Sequence, residues 1–309
     1  MSVLAVDGGQ SGIRATTSGS ETVVEVDGVS RLEGDVVAVV ADRVGEAWRE
    51  LGEPTLERAV LGLTTSPTQV AELDRLADLV SEATGAFEVW IADDTVTAHA
   101  GALSGEWGVS LTVGTGVACL AVSEDDRAQV IDGDGYLLGD DGAAFWIGRE
   151  GVRAVLRAHD GRGSATSMTT AAHEFFGGTA GLAVHIHSLP RPVNSIAAFA
   201  PAVLAAAAED GIASGIVAAA AESLAETVAA GVRAVGTDTA VPVAIGGRLI
   251  ETSGLLESAV TAAILEWVPG ASVRRADGSP LDGARALALG YQTDRYTSLI
   301  HHWKKGSRP

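Results

Sequence analysis

Two short stretches of this chain pair glycines with groups that can hold phosphate. The first, Asp7-Gly8-Gly9-Gln10-Ser11-Gly12, follows the apolar run Val3-Leu4-Ala5-Val6. Glycines let the backbone turn tightly and bring its N–H groups close to an anion. The amides of Gly8, Gly9 and Gln10 and the hydroxyl of Ser11 suit phosphate, and Asp7 could position the hydrated Mg²⁺ of a nucleotide. Neither GxxxxGK[ST] nor GxGxxG is present, and Arg14-Ala15-Thr16-Thr17 reads as a second strand and not as a helix. The stretch is therefore a strand–turn–strand hairpin. A second copy, Gly114-Thr115-Gly116, sits inside Val109–Ser123 (VSLTVGTGVACLAVS), and Gly246-Gly247 closes the apolar run Val241–Ile245. Two such hairpins about a hundred residues apart suggest an internal duplication with a phosphate held between the halves. The plainer alternative for each is a surface hairpin turn.

Carboxylates supply the second kind of chemistry. Asp93-Asp94 ends the apolar strand Phe87–Ala92 and opens a helix. An acid there can accept a proton from a hydroxyl nucleophile, or it can simply cap the helix. The pattern alone does not say which of the two acids does which. Asp132–Gly142 (DGDGYLLGDDG) is an acidic, turn-rich loop. His185 and His187 alternate as they would on a strand, but no third ligand at metal-binding spacing accompanies them. Cys119, inside the return strand of the second hairpin, reads as a small core residue.

In combination these stretches resemble the N-acetylglucosamine kinase and BadF/BadG/BcrA/BcrD-type ATPase family, within the superfamily of actin, sugar kinases and chaperone ATPases. The matching residues are Asp7-Gly8-Gly9-x-Ser11, Asp94-x-x-x-Ala98-x-x-Gly101, Gly114-Thr115-Gly116, Gly139-Asp140-Asp141-Gly142 with Trp146-Ile147-Gly148, and Gly246-Gly247. They run in family order over nearly the whole chain. The resemblance implies an α/β, two-lobed actin-like ATPase (ribonuclease H-like) fold, with duplicated mixed β-sheet domains around a central cleft. It implies ATP and Mg²⁺, a small sugar substrate and a homodimer. It selects Asp94 as the catalytic base and assigns Gly246-Gly247 to the adenosine side. Asp94, Thr115, Asp134, Gly135, Asp140 and Arg31 then fall at sugar-contacting positions.

Two of those positions depart from the family pattern. Arg31, in the loop Gly28-Val29-Ser30-Arg31, stands near the place of an asparagine, and Gly133-Asp134-Gly135 puts an acid where the family has Gly-Trp-Gly. Both changes fit a more polar or amine-bearing sugar than N-acetylglucosamine itself. Alternatives within the superfamily are an ATPase activator of a radical dehydratase or reductase, and a non-catalytic sugar sensor. The activators hold a [4Fe–4S] cluster on cysteine thiolates between subunits, and this chain has one cysteine.

The elements that must position these residues are legible in outline. After the first hairpin, Glu21–Val26 suits a third strand and Asp35–Leu51 a helix. Arg58–Leu63 suits a strand, Gln69–Thr84 a helix, and Thr95–Leu103 a helix. The second half follows with helices at Ala143–Arg157, Ser167–Phe176, Ser195–Asp210 and Ile212–Val235. Then come the strand Val241–Ile245, a helix over Gly254–Trp267, the strand Ser272–Arg275, and a last helix from Asp282. The expected division is an N-terminal lobe 1–104, a C-terminal lobe 105–285, and a tail 286–309 that returns to the first lobe, with Lys304–Pro309 frayed. The arginines Arg149, Arg153 and Arg157 read as a solvated helix face.

The bulk numbers fit. At 309 residues and 47% hydrophobic the chain can bury a large core. A formal charge of −19 argues against nucleic acid or an anionic membrane as partner. The single cysteine fits a reducing cytoplasm, and no run suggests a membrane span or a signal peptide.

Overall fold

The computed structural model describes residues 2–10, 12–29, 34–64, 66–178, 181–236, 240–291 and 293–307. The chain forms two compact units: Met1–Trp107 with Glu124–Asp126 and Ala276–Pro309, and Gly108–Ser123 with Arg127–Arg275. The C-terminal return thus starts at Ala276, earlier than the 286 expected, and takes the last helix with it.

In the first unit the elements run β1 (Ser2–Gly8), β2 (Gly12–Thr17), β3 (Val24–Asp27), α1 (Val36–Glu50), β4 (Leu56–Leu63), α2 (Val70–Thr84), β5 (Glu88–Asp93) and α3 (Asp94–Ala102). The second unit contains β6 (Gly108–Val113), β7 (Val117–Val122), β8 (Ala128–Ile131), α4 (Ala144–His159), α5 (Met168–Phe176), α6 (Leu182–Ser188), α7 (Pro192–Ala197), α8 (Ala200–Ala206), α9 (Gly211–Val235), β9 (Pro242–Gly246), α10 (Arg248–Thr252), α11 (Gly254–Trp267) and β10 (Ser272–Arg275). The chain then returns to the first unit through α12 (Pro280–Ala288), a 3₁₀ turn (Thr293–Leu299) and β11 (Ile300–Lys304).

The first sheet has the order β11-β5-β4-β1-β2-β3 and the second β10-β9-β6-β7-β8. Each is built on the same plan. An antiparallel meander (β1-β2-β3, or β6-β7-β8) is followed by a strand parallel to its first member (β4 on β1, β9 on β6). The internal duplication read from the two hairpins is thus visible as repeated topology.

Alternation along β1 separates the two faces of the first sheet. Leu4 and Val6 join Val40 and Val44 of α1 and Leu76 and Val80 of α2 in one buried cluster. Ala5 packs with Leu281 and Ala284 of α12 on the opposite face. That second face is built from small residues because two helices lie close to it. A Cβ on Gly62 of β4 would overlap the Thr97 side chain of α3. Where α3 crosses α12, a Cβ on Gly101 would overlap the carbonyl oxygen of Ser279, and one on Gly283 would overlap that of Thr97. A buried hydrogen bond of 2.8 Å between His99 Nδ1 and the Tyr296 hydroxyl ties α3 to the 3₁₀ turn as well.

In the second unit α9 lies across β6 and β7, with Gly231 close to Val109 and Ala121. Its N-terminus is capped by Asp210, which accepts hydrogen bonds from the amides of Ile212 and Ala213 and from Thr166 and Ser167. By length and apolar composition alone α9 reaches the span of a membrane, contrary to the expectation from sequence. Its apolar side is occupied by the sheet and by α11.

The structure departs from the expected elements in three further places. His185 and His187 lie on the helix α6 and not on a strand, so the i, i+2 pair points to different sides of it. Among the described residues no group of three or more potential ligands assembles a metal site. The stretch 195–210 is two short helices, α7 and α8. The sequence leads to no strand after β10 and to a frayed end from Lys304; instead Ile300–Lys304 pairs antiparallel with β5 and forms the sheet edge. Polar residues at alternate positions (His302, Lys304) hide an edge strand from a reading by apolar runs.

The crossing of α3 and α12 makes a stability prediction. Gly283→Ala should destabilise the protein by about 1–3 kcal/mol, because the methyl has only backbone to meet. Gly215→Ala, on an exposed part of α9 with nothing within 4 Å of the new methyl, should stabilise by roughly 0.5–1 kcal/mol. Urea unfolding of the two variants checks both signs.

Candidate active site

In the first unit the candidate residues gather where β1, β4 and β5 end. Asp93 is the N-cap of α3: its Oδ1 accepts from the Thr95 amide at 3.0 Å and from the Thr95 hydroxyl at 2.6 Å. Capping therefore falls to Asp93, which frees the carboxyl of Asp94. Asp94 Oδ2 accepts a hydrogen bond of 2.6 Å from Thr64 Oγ1, and Thr64 in turn donates its amide to the Gly8 carbonyl at 2.9 Å. Thr64 thus links the end of β4 to the first glycine turn and to the acid at the start of α3.

Burial pushes the Asp94 carboxyl up to about 7, with the charges of Asp93 and Asp7 adding to the rise and the Thr64 hydroxyl opposing it. Burial also raises Asp7, while the adjoining Arg14 guanidinium, paired with it across β1 and β2, pulls it partly back. Asp7 and Asp94 are electrostatic neighbours.

For Mg²⁺ the donor set is suitable. This ion favours one or two carboxylates with water and phosphate oxygens filling the remaining positions. Asp7 offers one oxygen-only side chain at a strand end. Gln10 is exposed at the tip of the turn and Gly9 half-buried. Ser11 and Arg31 lie outside the described residues.

In the second unit the turn Gly114-Thr115-Gly116 is closed by a hydrogen bond of 2.9 Å from the Gly114 amide to the Gly116 carbonyl. Its carbonyls receive the first amides of α4, Ala144 to Gly114 at 3.0 Å and Phe145 to Thr115 at 3.1 Å. The turn thereby caps α4, and Thr115 is left exposed at the tip. Asp140 lies directly beneath: its Oδ1 accepts from the Val117 amide at 3.0 Å, and a Cβ on Gly116 would come within 2.5 Å of Oδ2. A side chain at 116 would have to displace the Asp140 carboxylate.

Asp140 is buried and holds a left-handed backbone, φ 61°, which costs a non-glycine residue energy and tends to mark functional positions. Burial raises its carboxyl, the Val117 amide offsets part of this, and Asp132, Asp134 and Asp141 add to the rise. Asp132 orders the same loop by accepting the amides of Gly133 at 2.8 Å and Asp140 at 3.0 Å. Asp134 stands exposed beside the half-buried Gly135. Gly246-Gly247 lies next to the first turn of this unit. Gly247 has φ 93°, and a Cβ there would fall 2.5 Å from the carbonyl oxygen of Val113, the residue before Gly114.

The structure thus brings Asp7, Gly8 and Asp94 together in one unit, and Gly114–Gly116, Asp140 and Gly246-Gly247 in the other. Sequence reading missed Thr64 and Arg14. For Thr64 the signal was a hydroxyl closing a buried strand, and for Arg14 a lone cation across a hairpin from the acid. Cys119 is fully buried, and its thiol is pushed up to about 12 by burial, which suits a core residue.

A raised carboxyl is a cost to the folded state once it ionises. Between the ordinary carboxylate value and about 7 the native chain keeps a proton that the unfolded chain has lost, so stability falls as pH rises through that window. Asp94→Asn should therefore melt at a higher temperature than the parent at pH 8, and the gap should close toward pH 4. Melting curves across that range check the sign.

The sequence profile of the BadF/BadG/BcrA/BcrD ATPase family matches residues 4–284. An N-acetylmuramic acid/N-acetylglucosamine kinase of Clostridium acetobutylicum is 24% identical over 174 residues, 54% of this chain and 57% of that kinase. The alignment thus spans little more than half of that relative. A Chromobacterium violaceum structure provisionally assigned as an N-acetylglucosamine kinase superposes with a TM-score of 0.69 at 25% identity, over 93% of this chain and 98% of its own. A ROK hexokinase of Thermus thermophilus superposes at a TM-score of 0.54 and 19% identity, over 95% and 99% of the two chains, and shares the fold. With a match over most of its length and the actin-like ATPase architecture repeated in both units, the chain belongs to the BadF/BadG/BcrA/BcrD ATPase family.

Proposed function

We propose that this protein is an ATP-dependent kinase that transfers the γ-phosphate to a hydroxyl of an amino sugar, with Asp94 as the general base. The observation that carries this reading is the state of Asp94. Its carboxyl is half-buried, fixed at one oxygen by Thr64, relieved of helix capping by Asp93, and raised to about 7 by desolvation. A base whose pKa lies near the working pH combines readiness to accept a proton with a useful driving force. The relatives named as N-acetylglucosamine kinases support the choice of an amino sugar.

In this reading Asp94 accepts the proton of the acceptor hydroxyl through Oδ1, while Thr64 holds Oδ2 and so sets the direction of the carboxyl. Gly8, Gly9, Gln10 and Ser11, and in the other unit Gly114, Thr115 and Gly116, hold phosphate oxygens through hydroxyls and through the backbone amides that the turns do not use themselves; the Gly9 and Gly114 amides close their own turns onto the Gly12 and Gly116 carbonyls. Gly246 and Gly247 lie against the adenosine. Mg²⁺, held through Asp7, would supply charge neutralisation of the transferring phosphoryl group. Asp140 keeps Oδ2 for a sugar hydroxyl, since Oδ1 is used by Val117. Asp134, Gly135 and Arg31 would complete the sugar contacts, with Asp134 favouring an ammonium group by a charge-assisted hydrogen bond. A cytoplasmic homodimer is the setting that goes with this function.

Three outcomes test the proposal. A panel of hexoses, hexosamines and their N-acetyl forms with ATP–Mg²⁺ should release ADP only in the presence of an amino sugar; release without any sugar would point to an ATPase instead. Asp94→Asn should lower kcat by roughly 10²-fold or more while ATP–Mg²⁺ still raises the melting temperature. In the parent, kcat/KM should rise with pH through about 7, where Asp94 loses its proton. A flat profile, or an Asn variant within a few-fold of the parent, would remove Asp94 as the base.

A further inference from the structure

Across the first sheet, Asp7, Arg14 and Glu25 stand in one line. Asp7 is in register with Arg14, and Arg14 with Glu25. Residues directly opposite on antiparallel strands share a face and lie within side-chain reach. The Arg14 guanidinium rests on Oδ2 of Asp7, whose side chain is 13% exposed, while the arginine itself is 44% exposed. The acid that the proposed function needs as a metal ligand therefore comes with a cation already seated on it. The cation is the more accessible partner, and its long stem is fixed only at β2.

We infer that Arg14 is a positioning residue that keeps Asp7 closed to a divalent cation alone and releases it when a nucleotide triphosphate arrives. The inference rests on the kinase reading given above. A guanidinium and a divalent cation cannot both sit on one nearly buried carboxylate without strong mutual repulsion. The triphosphate removes the conflict, because its oxygens accept the planar fork of an arginine in pairs, better than a single carboxylate oxygen does. Arg14 is anchored two residues beyond the end of the glycine turn whose amides suit phosphate, so the guanidinium has only to turn outward from Asp7 toward that turn. Glu25, exposed on the other side of Arg14, keeps the cation on this face while Asp7 is in use. Metal would then enter with the nucleotide and not before it.

Mn²⁺ tests this directly, since its free aqueous ion gives an EPR spectrum that disappears on binding. The parent should bind little Mn²⁺ alone, and one ion per chain when a non-hydrolysable ATP analogue is present. Arg14→Gln should bind Mn²⁺ without nucleotide about tenfold more tightly than the parent, and ATP in EDTA about tenfold more weakly. Arg14→Lys, which keeps the charge, should restore the exclusion of free Mn²⁺. Adding Asp7→Asn to Arg14→Gln should abolish the new binding, which separates this site from diffuse binding to an acidic chain. Should the Gln variant fail to fold, Arg14→Met keeps the apolar stem and gives the same readout. Equal affinity of parent and variant for Mn²⁺ alone, or new binding that survives Asp7→Asn, overturns the inference. A parent that binds no nucleotide at all overturns the kinase reading instead, and the comparison in Mn²⁺ alone still stands.

Discussion

A carboxyl can be kept in an apolar interior only if the element that carries it is held rigidly from several sides. That constraint governs the first unit. Asp94 opens α3, a helix buried over its remaining length, and the sheet and α12 both approach it as closely as backbone allows. Gly62 clears the space for Thr97, and Gly101 and Gly283 let the two helices cross at van der Waals contact of their main chains. Tyr296 adds a buried hydrogen bond to His99 from the far side. Rigid support of this kind keeps the acid desolvated without letting it relax toward water. The raised affinity of Asp94 for its proton is the electrostatic consequence of that packing.

In the proposed reading, the two units meet the problem of phosphate in an acidic chain by the same device. With a formal charge of −19, long-range electrostatics repels a polyphosphate, so attraction must be local. Each sheet ends its first strand in a glycine turn and returns antiparallel. In the second unit the turn is stiffened from below by Asp140 and from behind by α4, whose first amides it caps. In the first unit Thr64 and Arg14 do the corresponding work, through the Gly8 carbonyl and the Asp7 carboxylate. The fold is shared with a ROK hexokinase and with a structure provisionally assigned as an N-acetylglucosamine kinase.

Much of this was legible because it depends on local rules. The hairpins announce themselves by apolar runs broken by glycine, and the long helices by spacing and by their stops at Gly85 and Gly236. Elements whose stability comes from tertiary partners were harder to see. Ile300–Lys304 carries polar residues at alternate positions, and only its pairing with β5 makes it a strand. His185 and His187 lie in a stretch too short to show its period, and the helix that contains them scatters the pair.

The sequence by itself determined the order of the elements, the duplication, the glycine turns, and the presence of two adjacent acids at the start of a helix. These follow from backbone preferences and from the alternation of apolar side chains, which act over a few residues. What only the tertiary structure decided is which acid does what. Asp93 and Asp94 are chemically identical and adjacent; one caps the helix and the other is hydrogen-bonded to Thr64 because successive residues at a helix start point in different directions. Arg14 acquires its meaning in the same way, from a strand register that sets it opposite Asp7. Charge, desolvation and hydrogen bonding act between side chains brought together by folding, so the chemistry of the site belongs to the packed molecule.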